Sequence, residues 1–421
     1  VRKEWQRRRD VNGELFWYRD AETTDTSYLG YAINFADDKR GFADAECPDE
    51  HVDNESFDVD VVVTIEQSLD VIDTPTLLTD KSGPSVSQSL SPTDPHDEVR
   101  RRKTSKIQGV TPEVRRNELE EIAAPLHFEL LNANGANPAQ LPLVSASDPS
   151  LSWENILHLA SQAFTTKYAH FVTTTAALAI AAEANQIKLR IDRDQLLEES
   201  MESLNVFPVE IGRAPLRIHF IDEADVDVGG LQREWFVLLN EQLADPTNDI
   251  FRCVNKTEHT FYLNPNSRHD IGEDHLVYYF AAGRLLGRAL LEGQVLGFYL
   301  ALPLLKIILG ISVSLTDLEY FDPEVYKSMK WIRENNGVDA LGLDFTVTDR
   351  RGEDVVPIDL ILNGVNIEVT DDNKEEYLDR RLRYMLFESV SSQLYVFLKG
   401  IYEVIPQELL MPFDPEEFDF L

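Results

Sequence analysis

Between residues 225 and 300 the chain reads Asp227-Val228-Gly229-Gly230, then Arg233-Glu234-Trp235, Asn264-Pro265-Asn266-Ser267, Glu273-Asp274-His275-Leu276 and Gly283-Arg284. Leu216 to Ile221, just upstream, alternates apolar and polar residues like a strand. Gly229-Gly230 reads as a turn, and Leu231 to Leu243 as an apolar-faced helix. Cys253 to Leu263 reads as extended and Asn264 to Ser267 as a turn, because Asn and Pro favour turn conformations. Glu273 to Leu291 is a long helix with Leu276, Tyr279, Phe280, Gly283, Leu286 and Leu290 on one face. Gly283 and Gly287 stand one turn apart on it, a spacing that marks close helix packing rather than a ligand site.

Downstream, Ser314 with Asp317 is a capping signal, and Pro323 suits the first turn of a helix running to Arg333. Asp372 with Glu375 is a second capping pair, opening a helix to Lys399. Upstream, a helix is expected from Trp153 to Tyr168, and Leu196, Leu197, Met201 and Leu204 form one face of another. Helices with scattered short strands and no internal repeat make the fold class α+β.

Residues 1–34 form an aromatic island of Trp5, Phe16, Trp17, Tyr18 and Tyr28, with Asn12-Gly13 as a hairpin turn. Residues 41–98 hold fifteen Asp or Glu against a single Lys81, with many Ser, Thr and Pro. Such a segment buries too little apolar surface to offset its ordering entropy, so 35–110 is expected to be a disordered acidic linker with a basic end. Val61 to Ile65 is its one short β-prone patch. The basic end, Arg100 to Lys103 with Lys106, Arg115 and Arg116, is either a nuclear-import or phosphate-binding patch or a solvated run facing acidic neighbours. Residues 111–150 form a helical connector, and 151–421 the main globular part.

Composition narrows the function classes. The chain of 421 residues is 43% hydrophobic, enough for a sizeable core, and carries a formal net charge of −35. That charge opposes nucleic acid and anionic membranes and leaves basic proteins as better partners. Cys47 and Cys253 are the only cysteines, with no Cys or His at zinc-ligand spacing, so no metal or cofactor is expected and a reducing, cytoplasmic setting is the default. No run is apolar and long enough for a membrane span, and no secretory signal stands after Val1. Neither a Gly-x-Ser-x-Gly elbow nor a phosphate loop nor a His-Glu-x-x-His helix is present. Asp270, Asp274, His269 and His275 read as caps and surface hydrogen bonders rather than metal ligands. The acidic loop Asp222, Glu223, Asp225, Asp227 lacks the calcium-loop pattern.

The ordered motifs from Gly229-Gly230 to Gly283-Arg284 resemble the large lobe of a HECT-type ubiquitin ligase, and Phe413 to Leu421 resembles the end of that lobe. The resemblance covers roughly residues 150 to 421. It implies a lobe that docks a ubiquitin-conjugating enzyme on a small inserted subdomain, around Pro303 to Asn366, while a separate lobe carries the cysteine that accepts ubiquitin as a thioester and passes it to substrate lysines. The family's docking positions fall on Val325, Met329, Asn335, Leu341 or Leu343, and Tyr377; Asn335 departs from the aromatic seen in some relatives. No Thr-Cys-Phe type motif is present, so the nucleophilic lobe is expected to be missing, and Cys253 is assigned a structural role.

The N-terminal island resembles a degenerate WW module. Trp5 would be its packing tryptophan, and Trp17 with Tyr28 would grip proline-rich ligands; Tyr28 replaces the usual second tryptophan one residue late, and Asp20 the usual His. A hairpin whose aromatics serve only its own core is the other reading. Beside the ligase reading stands a non-catalytic one: an adaptor that sequesters conjugating enzymes or recruits proline-rich partners.

Overall fold

The computed structural model describes residues 5–9, 15–19, 30–35, 64–65, 112–123, 128–132, 153–179, 187–207, 212–223, 228–351, 354–418 and 420–421. In chain order the first elements are β1 (Trp5–Arg9), β2 (Leu15–Arg19), β3 (Gly30–Phe35), β4 (Thr64–Ile65), α1 (Pro112–Ala123), β5 (Phe128–Asn132), α2 (Trp153–Ala160) and α3 (Phe164–Leu178). Then come β6 (Ile187–Ile191), α4 (Leu196–Val206), β7 (Leu216–Phe220), α5 (Val228–Ala244), β8 (Phe251–Asn255), β9 (Thr260–Leu263), α6 (Ser267–Asp270), α7 (His275–Glu292) and β10 (Tyr299–Leu300). The last third runs α8 (Leu302–Ile308), β11 (Val313–Ser314), α9 (Leu318–Phe321), α10 (Pro323–Glu334), β12 (Thr346–Arg351), β13 (Asp354–Asp359), α11 (Lys374–Leu386), α12 (Ser391–Val404), α13 (Gln407–Leu410) and α14 (Pro415–Phe418). Mixed helices and short strands make this the α+β lobe that the sequence implies.

The lobe is centred on α7 and α12. Their close approach explains the glycines: a Cβ on Gly283 would lie 2.1 Å from the Phe397 carbonyl oxygen, and one on Gly287 2.7 Å from the Val404 Cβ. Around this pair α4, α5 and the aromatic rings of Phe251, Tyr279, Phe298 and Phe397 fill the core. Trp235, fully buried on α5, donates its indole N–H to Ser200 Oγ at 2.8 Å, so its polar edge is satisfied.

Among the described residues, five small sheets decorate the helices. In one, β6 is central, parallel to β7 and antiparallel to β4, with Ile187, Leu189, Ile191, Leu216, Ile218 and Phe220 buried by strand alternation. Thus the β-prone patch of the acidic segment ends in a strand, Thr64 opposite Lys188 and Ile65 opposite Ile187. Another joins β11, β3 and β5, with β3 in the middle. The hairpin β8–β9 pairs with β10, and β12 with β13. β1 and β2 pair antiparallel, Trp5 opposite Arg19 and Arg7 opposite Trp17; Asn12-Gly13, Tyr28 and most of the linker lie outside the described residues.

Three local expectations are corrected. Gly229-Gly230 does not form a turn but occupies the exposed first turn of α5, where the amide hydrogens need no intrahelical partner and glycine is tolerated. The helix expected from Trp153 to Tyr168 is two, broken at residues 161–163. The helix expected from Asp372 to Lys399 is also two. It starts at Lys374 after Asn373, whose side chain accepts from Thr370 N–H instead of capping, and it breaks at Phe387 (φ −133°, ψ −58°), which is fully buried. Burial of that ring overrides a continuous helical pattern.

Candidate functional site

The expected docking residues follow α8, after which β11 leads into α9. Ser314 donates its backbone N–H to Asp317 Oδ2 at 2.8 Å, and Lys306 holds the other oxygen at 2.6 Å, as the capping signal implies. Asp322 then caps α10 by accepting from the Glu324 and Val325 amides, with Pro323 in the first turn. After α10 a short 3-10 turn, Val338–Leu341, sits between Gly337 and Gly342, both at positive φ (84° and 61°). Asp371 accepts from the Gly337 and Val338 amides at 2.7 and 3.2 Å, and those bonds hold its carboxyl below the usual range. Leu343 O accepts from Val369 N–H at 2.8 Å, so the loop is pinned at both ends.

Beneath it, the Phe345 ring stands edge-on to Tyr377 with centroids 5.5 Å apart, and Gly364 lies so close to the Phe345 carbonyl that a Cβ would fall 2.3 Å from it. The structure therefore divides the expected docking residues. Met329 and Tyr377, each 1% exposed, are buried core and not surface, because α10 and α11 pack their apolar faces together. The Tyr377 hydroxyl accepts from Arg381 at 2.6 Å. Val325 and Leu343 are half-buried against the same core, and Asn335 is half-buried with its amide turned back to the Trp331 carbonyl. Leu341 is 46% exposed. Trp331, which the sequence reading passes over, is 47% exposed on the outer face of α10 among Lys327, Lys330 and Glu334. A tryptophan whose helical-face neighbours four before and three after, Lys327 and Glu334, are charged is the signal that singles it out.

Elsewhere one arrangement imitates chemistry. Ser267 Oγ lies 2.9 Å from His275 Nδ1, and Gln393 donates to Ser267 at 3.0 Å. All three are buried under the Asn264 turn, whose carboxamide bonds Asp249 O and Asp270, so the pair staples the turn to α7 and α12 and reaches no substrate. Burial lowers the His275 pKa to about 4, with Arg268 adding to the effect. A histidine held neutral below its unfolded value of about 6.5 gives stability that is complete above that pH and is lost as pH falls toward about 4. Replacing His275 with Gln, which keeps a hydrogen-bonding side chain, is expected to flatten the pH dependence of unfolding in that window by up to about 1.4 kcal/mol per pH unit. Superimposable profiles of the two proteins would contradict it.

Cys253 is half-buried on β8, its Sγ 3.7 Å from Asn255 O. Among the described residues no cluster of His, Cys, Asp or Glu is placed to hold a metal ion, and no helix is long and apolar enough to cross a membrane.

Residues 237–421 match the family model described as HECT-domain (ubiquitin-transferase). With the relatives below, this match supports a HECT-type ubiquitin-ligase fragment over these residues. The chain is also 38% identical over 236 residues to the E3 ubiquitin-protein ligase TOM1-like of Neurospora crassa, covering 56% of this chain and 6% of that protein. To the E3 ubiquitin-protein ligase pub3 of Schizosaccharomyces pombe it is 33% identical over 236 residues, 56% of this chain and 30% of the relative. To human E3 ubiquitin-protein ligase HECW1 it is 32% identical over 259 residues, 61% of this chain and 16% of the relative. The chain thus spans less than a third of each of these relatives.

Proposed function

We propose that this chain supplies the conjugating-enzyme docking lobe of a HECT-type ubiquitin-protein transferase. The activity of the whole would be acceptance of ubiquitin on a cysteine outside the described lobe and its transfer to substrate lysines. Cys253, half-buried on a hairpin, takes no part in that transfer. What carries the docking reading is Leu341: an apolar side chain, half exposed, on a turn that two positive-φ glycines shape and Asp371 bonds. In so acidic a chain an outward-presented leucine is suited to desolvation by an apolar loop of a partner. Met329 and Tyr377 support the surface from beneath, and Val325, Leu343 and Trp331 offer further apolar contact.

The reading is tested by titrating the chain with a ubiquitin-conjugating enzyme. Leu341→Asp is expected to weaken binding at least about tenfold, as burial of an unpaired charge in an apolar contact implies. Val295→Asp, at an exposed position before α8, should leave affinity unchanged. Equal affinities for both variants and the parent would reject Leu341 as a contact.

A further inference from the structure

Strand β3 comes from far upstream of the lobe, yet it touches both chain connections of the inserted segment. On one edge it pairs with β11, Tyr31 opposite Val313 and Ser314 opposite Gly30, at the point where the chain enters the segment. Its other edge runs along β5 from Tyr31–Asn132 to Phe35–Phe128. The Tyr31 side chain, 7% exposed, crosses to α11, through which the chain returns. There its hydroxyl donates to Asp379, its ring meets Phe387 edge-on at 6.4 Å and 73°, and the Arg383 guanidinium lies 5.7 Å from the ring centroid. Phe387 is the residue at which α11 breaks before the lobe's central helix α12.

A segment joined to a body by two connections can pivot about them. A strand that bonds to one connection while its side chain is fixed to the other removes that freedom. We infer that Gly30–Phe35 is a clamp that sets the orientation of the inserted segment on the lobe, with Tyr31 as its latch. If that segment is the docking surface proposed above, Tyr31 is a positioning residue for the docked partner; that last step rests on the docking reading, whereas the clamp does not.

Two properties fit a latch. The pairing with β11 is only two residues long, so β3 adds a contact that local opening can release. Burial and the Asp379 carboxylate push the Tyr31 hydroxyl up to about 12, so it stays a neutral donor at any physiological pH. The lobe also reaches the same roots through Tyr262, which packs edge-on against Phe321 at 5.0 Å and donates to Leu386 O at 2.6 Å. Loss of Tyr31 therefore loosens the segment without detaching it.

The test places spin labels at Leu362→Cys on the segment and Val295→Cys on the lobe, both exposed, with Cys47 and Cys253 changed to Ser, in the full chain. With Tyr31 present a single narrow distance distribution is expected; in Tyr31→Ala it broadens or splits. If Tyr31→Ala does not fold, Tyr31→Phe, which removes only the hydrogen bond to Asp379, carries the same expectation. A distribution unchanged in a folded Tyr31 variant overturns the clamp. No conjugating enzyme enters this measurement, so a failed Leu341→Asp titration would remove the docking reading and leave the clamp to stand or fall on the distances.

Discussion

Changing Gly283 to alanine is expected to destabilise the lobe by about 3 kcal/mol or more, although alanine is the better helix former. Gly283 lies inside the 18-residue helix α7, where helix propensity alone would favour alanine by about 1 kcal/mol. Packing opposes this. The added Cβ would stand 2.1 Å from the Phe397 carbonyl oxygen, 3.0 Å from its carbon and 3.1 Å from the Ile401 nitrogen. All three atoms are backbone of α12, so no side chain can rotate away. From the other side, a Cβ on Gly400 would sit 2.3 Å from Phe280 O and 3.2 Å from the Gly283 Cα. The two glycines therefore face each other across the helix crossing, and relief requires separating α7 from α12. That separation also disturbs the edge-on contact of Phe251 with Phe397, 5.9 Å between centroids, in the middle of the core. Chemical denaturation measures the loss directly. Gly272→Ala serves as a comparison, since φ is +106° there and nothing lies within 4 Å, so only backbone strain is added. A Gly283→Ala midpoint at or above that of the parent would refute the argument.

The pair Gly283 and Gly287 is legible in sequence because two glycines one turn apart on an apolar helical face have few other uses. Gly400 is not, since the helical pattern runs from Asp372 to Lys399 without a visible interruption and the glycine falls just past its apparent end. The real break at Phe387 goes with burial of its ring, partly against Tyr31, hundreds of positions away in sequence, and no local periodicity encodes it. The same limit governs the candidate site. Apolar spacing on α10 correctly puts Val325 and Met329 on one face, but the face turns inward, and only the packing of α11 against it decides that. Leu341 is presented outward by a turn whose geometry depends on Gly337, Gly342 and a carboxylate from Asp371, so its exposure follows from tertiary bonds rather than from its neighbours. The pairing of Gly30–Phe35 with β11 and β5 has no sequence signal at all. The coarse frame was legible because strand alternation, caps and the Asn-Pro-Asn-Ser turn are local; the roles of charged residues inside the core were not.

Arg284 is the clearest case, and removing its partner is expected to have the second large effect. It sits on the inner face of α7 with its side chain 2% exposed, against Glu403 of α12 at 4%. Its Nε and one terminal nitrogen both donate to Glu403 Oε2, at 3.0 and 2.7 Å, and the other terminal nitrogen donates to the carbonyls of Leu204 and Phe207 at 2.8 and 2.9 Å. The arginine thus ties α7 to α12 and to the end of α4. Burial works against its charge, and Arg115 adds to that; it also pushes the Lys399 amine down. Glu403 is the carboxylate that offsets both cations. Glu403→Ala leaves Arg284 charged, buried and without its counter-ion, and should cost about 3–5 kcal/mol. Glu403→Gln, which keeps an acceptor but no charge, should cost less and remain folded if the alanine variant does not. Replacing both partners with apolar residues of similar volume, Arg284→Met with Glu403→Leu, removes the unpaired charge and should recover much of the loss. It should not recover all of it, because the Leu204 and Phe207 carbonyls then lose their donor. Unfolding free energies of the parent, Arg284→Met, Glu403→Leu and the double variant decide the matter: if the two single losses simply add in the double variant, the ion pair is not a coupled unit and this account of the α7–α12 junction is wrong.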